Sequence, residues 1–165
     1  MANRKDVSTL TSAQLTQLRA LLDQFITKPT NNPVAEHKAA GMPIHMQEFL
    51  TWHQHFVAEL ESWLVSHGGA NFVPLPYWNP AKPIPAQLNK GNTNPNMPLP
   101  ANLNNTALKQ IGTYTILNNR MIPYHGSVHD AMGGQMPDPN TSPSDPIFWP
   151  FHAFLVAVYE RWRNL

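Results

Sequence analysis

Cysteine is absent from the 165 residues. Its absence excludes disulfides, zinc–thiolate sites and thiol nucleophiles, and leaves the redox compartment open. Charge is scarce too: Asp, Glu, Lys and Arg make up 13% of the chain, about half the usual share of roughly 25%. A net charge of +1 without a basic cluster gives nucleic acid no electrostatic footprint. No apolar run approaches the ~20 residues of a membrane span. The opening residues, Met-Ala-Asn-Arg-Lys-Asp, lack the apolar core of a secretory signal. Together these absences predict a cytoplasmic protein with neither nucleic acid nor membrane as partner. Disorder is excluded as well, because it needs low hydrophobicity with high charge, and here 42% of residues are hydrophobic. The expectation is one domain, residues 1–165, long enough for its own core.

Proline and histidine are abundant instead, at 17 and 8 residues. Proline falls between the periodic segments. Residues 8–27 carry Leu15, Leu18, Leu22 and Phe25 at helical steps, with a capping box in Thr11 and Gln14. A proline-broken connection, 29–44, follows and holds His37. A second helix then runs to about Ser66 with Phe49, Phe56, Leu60, Trp63 and Leu64 on one face, stopped by Gly68 and Gly69. Residues 72–105 are too rich in Pro and Asn-Pro pairs for helix or sheet and read as an irregular wrap. A third helix is expected within 106–132, a Gly/Pro/Ser loop over 133–146, and a last helix to the C-terminus. The pattern predicts an all-α four-helix bundle with long Pro-rich irregular connections.

The last helix holds one histidine, His152, in the run Phe148-Trp-Pro-Phe-His-Ala-Phe-Leu-Val-Ala-Val-Tyr, where an imidazole needs a partner. Phe49-Leu-Thr-Trp-His53 mirrors it, with Phe four residues before the histidine and Trp ten after each, at 63 and 162. His125 and His129 share one helix face about 5–6 Å apart, a common way to hold a first-row metal. His45 adds a constraint. On one continuous helix it would lie about 12 Å along the axis from His53 at ~1.5 Å per residue, too far to share an ion. If His45 is a donor, the helix begins after it. Thr51 with Gln54 places that start near residue 51, and Pro150 does the same before His152.

These residues resemble the tyrosinase family of type-3 dicopper proteins, which includes catechol oxidases and molluscan haemocyanins. The second half carries the likeness most strongly: His125-Gly-Ser-Val-His129, then Gly133-Gly-Gln-Met136, then Ser142-Pro-Ser-Asp-Pro-Ile-Phe-Trp-Pro-Phe-His152. The first half matches through His45-Met-Gln-Glu-Phe-Leu-Thr-Trp-His53, and Leu75-Pro-Tyr-Trp78 resembles a segment between the two motifs. The resemblance implies a bundle around a dinuclear copper centre. Its first half lies within about 30–70 and its second within about 106–165. One copper would sit on His37, His45 and His53, the other on His125, His129 and His152. The short spacing of His37 to His45 leaves His55 and His67 as alternatives.

The implied activity is oxidation of small phenols and o-diphenols to o-quinones, with dioxygen as co-substrate. Five positions depart from the family pattern. Phe151 stands where a histidine is usual, Phe154 for Asn, Val156 for Asp, and Gly126 where Asn helps deprotonate phenol. Leu117 occupies the region of a usual glutamate. Gly126 and Leu117 predict stronger diphenol oxidation than monophenol hydroxylation, with Asp130 as a substitute base. Gly126, Asp130, Phe154 and the 131–142 loop with Met132 and Met136 are the expected substrate mouth. Relatives often carry a shielding domain, so an open site, a shielding partner or a homo-oligomer is expected here. The other readings are an oxygen carrier that does not turn over, and a helical bundle with a vestigial metal site.

Overall fold

Why the chain folds into helices around one aromatic seam is visible in a computed structural model, which describes residues 3–165. Six α-helices are present among the described residues: α1 Ser12–Ile26, α2 Pro33–Ala40, α3 Phe49–Ser66, α4 Asn105–Gln110, α5 Tyr114–Met132 and α6 Phe148–Arg163. No strand accompanies them there; the one β-bridge pairs Asp6 with Tyr77. The four long helices are α1, α3, α5 and α6. None of the described helices is long and apolar enough to cross a membrane.

The capping box on α1 forms as expected: Thr11 Oγ1 accepts from Gln14 N at 3.2 Å and Gln14 Oε1 from Thr11 N at 2.9 Å. Residues 8–11 are not part of that helix, because Leu10 is extended and Val7–Thr9 form a separate 3₁₀ turn. The connection 29–44 contains a helix of its own. Asn32 caps α2 by accepting from Val34 N and Ala35 N, Pro33 takes the first helical position, and Gly41 at φ +68° ends it. Nor is 106–132 one helix. Ile111 is extended, and Thr113 caps a new start by accepting from Ile116 N.

α3 begins at Phe49 rather than near residue 51, and the Thr51–Gln54 capping box does not form. The Thr51 hydroxyl instead donates to Glu48 O at 3.1 Å. The cap comes from another helix: Asn118 Oδ1 on α5 accepts from Leu50 N at 3.2 Å. α3 and α6 pack as the central pair, with Phe56 on Trp149 at 4.8 Å and Phe25 of α1 edge-on to Trp149 at 5.1 Å. Arg4, nearly buried, bridges Glu61 on α3 and Glu160 on α6. The 72–105 segment is the irregular wrap expected. It buries Leu75, Trp78, Ile84, Leu88 and Leu103 and ties down through Trp78 N to Pro150 O at 2.9 Å and Thr93 N to Met132 O at 2.8 Å.

Candidate metal centre

His53 and His152 each occupy the fifth position of their helix, and each Nδ1 donates to the carbonyl of the phenylalanine four residues back. The distances are 2.8 Å to Phe49 O and 2.7 Å to Phe148 O. The two rings then stack on each other at 4.8 Å between centroids. Around His53 gather His37, at 5.6 Å, and His45, at 5.7 Å. Around His152 gather His125, at 5.2 Å, and His129, at 5.3 Å. The structure thus assembles two triads, His37/His45/His53 and His125/His129/His152, with the donor atoms of each within 4.8 Å of one another. His45 reaches the first because the backbone leaves helical geometry at Met46 (φ −126°, ψ −113°). That break satisfies the length constraint argued from the sequence. His55 is exposed on a separate groove with Glu36 and Glu59, and His67 is exposed and stacked on Trp63 at 4.0 Å. Neither belongs to a triad.

The tautomers follow from the hydrogen bonds. His37 Nδ1 lies 2.8 Å from Pro139 O, His45 Nδ1 3.1 Å from Gly41 O and His129 Nδ1 2.7 Å from Met136 O. A carbonyl only accepts, so each of these nitrogens, like those of His53 and His152, carries the hydrogen. Five of the six rings therefore present a bare Nε2 lone pair. The Nε2 atoms of His37, His53 and His129 are buried with no hydrogen-bond partner among the described residues, an arrangement that costs free energy unless something binds there. The Nε2 atoms of His125 and His152 lie 3.2 Å apart. Two nitrogens ~2.0–2.1 Å from one ion at a tetrahedral angle would be about 3.3 Å apart. A ring pinned through Nδ1–H to a carbonyl, with Nε2 free, is the usual arrangement of a metal-binding histidine. The donor set fits a pair of metal ions, and neutral imidazole suits copper, zinc, iron and nickel.

Burial pushes all six rings toward the neutral form that can donate a lone pair. His37 and His129 fall to about 4. His53, His125 and His152 go well below the ordinary value, with burial the larger cause and neighbouring imidazoles adding to it. His45, only half-buried, falls less far for the same first reason, its bond to Gly41 opposing.

A cavity of about 220 Å³ touches both triads. His45 of the first and His125 and His129 of the second line it, with Ile122, Gly126, Asp130, Met136, Pro137, Pro139 and Ser142. Gly126 and Asp130 therefore stand at the mouth, as does the 131–142 loop through Met136. Two expected mouth residues do not. Phe154 packs on Tyr77 at 5.9 Å and does not line the cavity. Met132 is fully buried in the core. The 72–105 segment contributes no lining residue either.

A family model described as the common central domain of tyrosinase matches residues 20–119 and 93–165. The chain belongs to the tyrosinase family. Two curated relatives match over short stretches. The tyrosinase-like protein tyr-3 of Caenorhabditis elegans is 40% identical over 40 residues, 24% of this chain and 6% of that protein. The tyrosinase of Streptomyces lincolnensis is 38% identical over 45 residues, 27% of this chain and 16% of that protein. The matched stretches thus span under a fifth of either relative. No solved structure matches. Family and geometry agree on a type-3 copper protein whose two triads fit a dinuclear copper site.

Against the tyrosinase-family pattern, Phe151 is the departure the structure explains best. Its buried ring lies parallel to His125 at 6.1 Å and edge-on to His129 at 5.5 Å, so it packs the second triad from behind. Three supports of the tyrosinase-like site carry no signal in the sequence motifs. The carbonyls of Met136 and Pro139 orient His129 and His37, so four residues of one loop hold one donor of each triad. Backbone oxygens have no side-chain identity, and only the fold reveals them. Asn118 is the third. Buried in α5, it donates to Met46 O at 2.6 Å and accepts from Leu50 N and, at 3.0 Å, from Tyr114 Oη. It thus clasps the turn between His45 and His53. Asn118→Ala strands two of these groups, at about 1–3 kcal/mol. Expected are a melting temperature lower by about 2–4 °C per kcal/mol and metal lost from the first triad before the second, checked by calorimetry and metal analysis.

Proposed function

We propose that the chain is a copper oxidase that converts small o-diphenols, and more slowly monophenols, to o-quinones with dioxygen. The observation that carries this reading is the cavity that reaches three triad histidines from outside. A protein that only binds dioxygen would bar phenols from those rings, and here no side chain of the 72–105 wrap or of Phe154 stands in the way. The copper pair, when bound, supplies electron exchange with dioxygen. The protein's own residues do the rest. Five backbone carbonyls fix five of the six imidazoles, sparing reorganisation at turnover. Ile122, Met136, Pro137 and Pro139 offer apolar faces to a flat ring. Two diphenols give up four electrons and four protons, which reduce one dioxygen to two waters.

Monophenol hydroxylation also needs the phenol proton removed. Gly126 presents no group for this, and Asp130 is the one carboxylate lining the cavity. Space for a side chain exists, because a Cβ on Gly126 would meet nothing within 4 Å and Gly126 lies inside α5 without a left-handed φ. Gly126→Asn is therefore expected to fold and to raise the ratio of tyrosine hydroxylation to catechol oxidation several-fold. The test of the proposal is direct: load the chain with copper, then follow quinone formation from catechol and tyrosine separately. Rapid catechol turnover with slow tyrosine turnover supports the reading. Two coppers per chain without quinone from either contradicts it.

A further inference from the structure

Three of the five tryptophans stand in a line of aromatic rings that starts at the histidine triads and ends at the surface. Trp52 lies edge-on to two donors of the first triad, His53 at 5.0 Å and His37 at 5.7 Å between centroids. From Trp52 the rings continue to Phe56 at 4.5 Å, Trp149 at 4.8 Å, Phe25 at 5.1 Å and Trp63 at 5.4 Å, the spacings of packed aromatic pairs. Exposed His67 stacks on Trp63 at 4.0 Å and closes the line. The second triad joins at Trp149 through Phe148, which stacks on His152 at 3.8 Å and meets Trp149 at 5.2 Å. The indole N–H groups divide in a way that packing does not require. Trp78, Trp149 and Trp162 donate to the carbonyls of Pro83, Pro143 and Ile111. Trp52 and Trp63 donate to no group among the described residues, both are partly exposed, and neither indole nitrogen is buried. Their N–H groups therefore face water.

We propose that Trp52, Trp149 and Trp63 form an electron relay that drains oxidising equivalents from the copper pair to the surface when no phenol occupies the cavity. Indole is among the most easily oxidised side chains, whereas phenylalanine is too hard to oxidise to hold a positive charge. Phe56, Phe25 and Phe148 then serve as bridges between the indoles. Trp149, its N–H held by Pro143 O at 3.1 Å, passes the charge on. Trp52 and Trp63 lose the indole proton to water and hold the neutral radical. The balance closes with hydrogen peroxide as the oxidant. One peroxide takes up two electrons and two protons and yields two waters, while Trp52 and Trp63 each give one electron and one N–H proton. A phenol or ascorbate at the surface returns one electron and one proton to each indole. The relay needs the copper pair but not phenol turnover, and it spares the triad histidines from oxidation. Packing alone would be served as well by phenylalanine, which gives the test its contrast.

The experiment treats the copper-loaded chain with hydrogen peroxide in the absence of phenol. Oxygen adducts are located by peptide mass spectrometry, and radicals by electron paramagnetic resonance of freeze-quenched samples. Expected are a tryptophan radical and adducts at Trp52 and Trp63 several-fold above those at Trp162, which is also partly exposed but lies off the line. The metal-free chain should show neither. Trp52→Phe should raise oxidation of His37 and His53, and loss of copper, several-fold. Trp52→Tyr, still oxidisable, should keep both at the parent's level. Trp149→Phe should cut the adducts at Trp63 several-fold and leave those at Trp52. If Trp52→Phe and Trp52→Tyr behave alike, Trp52 only packs and the proposal is overturned. Equal adducts at Trp52, Trp63 and Trp162, or adducts at Trp63 that survive Trp149→Phe, would show radicals diffusing through water and overturn it too. Catechol turnover by the same parent sample separates the two readings. Quinone without a tryptophan radical overturns the relay and leaves the oxidase standing; the radical without quinone does the reverse.

Discussion

Metal-free His53→Leu is expected to unfold at a higher temperature than the metal-free parent, and copper-loaded His53→Leu at a lower one than the copper-loaded parent. In the parent, His53 Nε2 is buried without a hydrogen-bond partner among the described residues. An unsatisfied buried polar atom costs about 1–3 kcal/mol, and leucine has a similar size and no polar atom. The lost bond to Phe49 O strands nothing, because that carbonyl keeps the helical N–H of residue 53. The metal-free gain should appear as about 2–4 °C in melting temperature per kcal/mol. Metal reverses the order. A ligand at 100 times its Kd adds about 2.7 kcal/mol to the folded state, and the variant keeps only the second triad. Copper analysis should read one ion per chain instead of two, and if the chain is the oxidase proposed, catechol oxidation should be lost. A metal-free variant less stable than the parent would show that His53 has an internal partner and is a packing residue.

Acid should unfold the metal-free protein steeply. Burial holds the six rings below their unfolded values, so the unfolded chain binds more protons wherever pH lies between the two. Stability is then fully present above about 6.5 and falls as pH drops toward the folded values. For His37 and His129, each lowered to about 4, the loss is on the order of 3 kcal/mol per ring. The other four rings act in the same direction. A sum of this size rivals the whole stability of a typical domain, about 5–15 kcal/mol. Calorimetric scans of the metal-free chain should show the melting temperature collapsing between pH 6.5 and 4. Changing His37 or His129 to an apolar residue should flatten that slope. A melting temperature unchanged down to pH 4.5 would mean the rings are protonated in the fold, and the tautomers deduced from the carbonyls would be wrong.

The four long helices, the shared face of His125 and His129 and the mirrored placing of His53 and His152 follow from patterns the chain displays openly. Leu15, Leu18, Leu22 and Phe25 fix one face of α1, and His125 and His129 are placed together by helix geometry alone. The mirrored Phe–His spacing in α3 and α6 reflects a real physical unit, the Nδ1 bond to the carbonyl four residues back. What stayed hidden lies in long-range partners. α2 is eight residues long and lacks an apolar stripe, so only the Asn32–Pro33 start marks it, and His37 consequently remained in competition with His55 and His67. The start of α3 was misplaced because Thr51 and Gln54 imitate a cap, whereas the cap comes from Asn118, 68 residues away. Packing of Phe49 and Leu50 into the core outweighs the local signal. Phe154, which takes the place of the family's Asn and was expected at the mouth, lies two residues after His152 on α6; that spacing turns a side chain to another face of the helix, toward Tyr77.

The central claim is that six histidines hold two copper ions side by side, and one paired measurement tests it: copper per chain by mass spectrometry, with the electron paramagnetic resonance of the same oxidised sample. Stacking of His53 on His152 makes the two triads neighbours, so two Cu(II) ions should couple their spins. The account predicts two coppers per chain and a resonance far below two spins. One copper per chain, or two with the full signal of isolated ions, would contradict it.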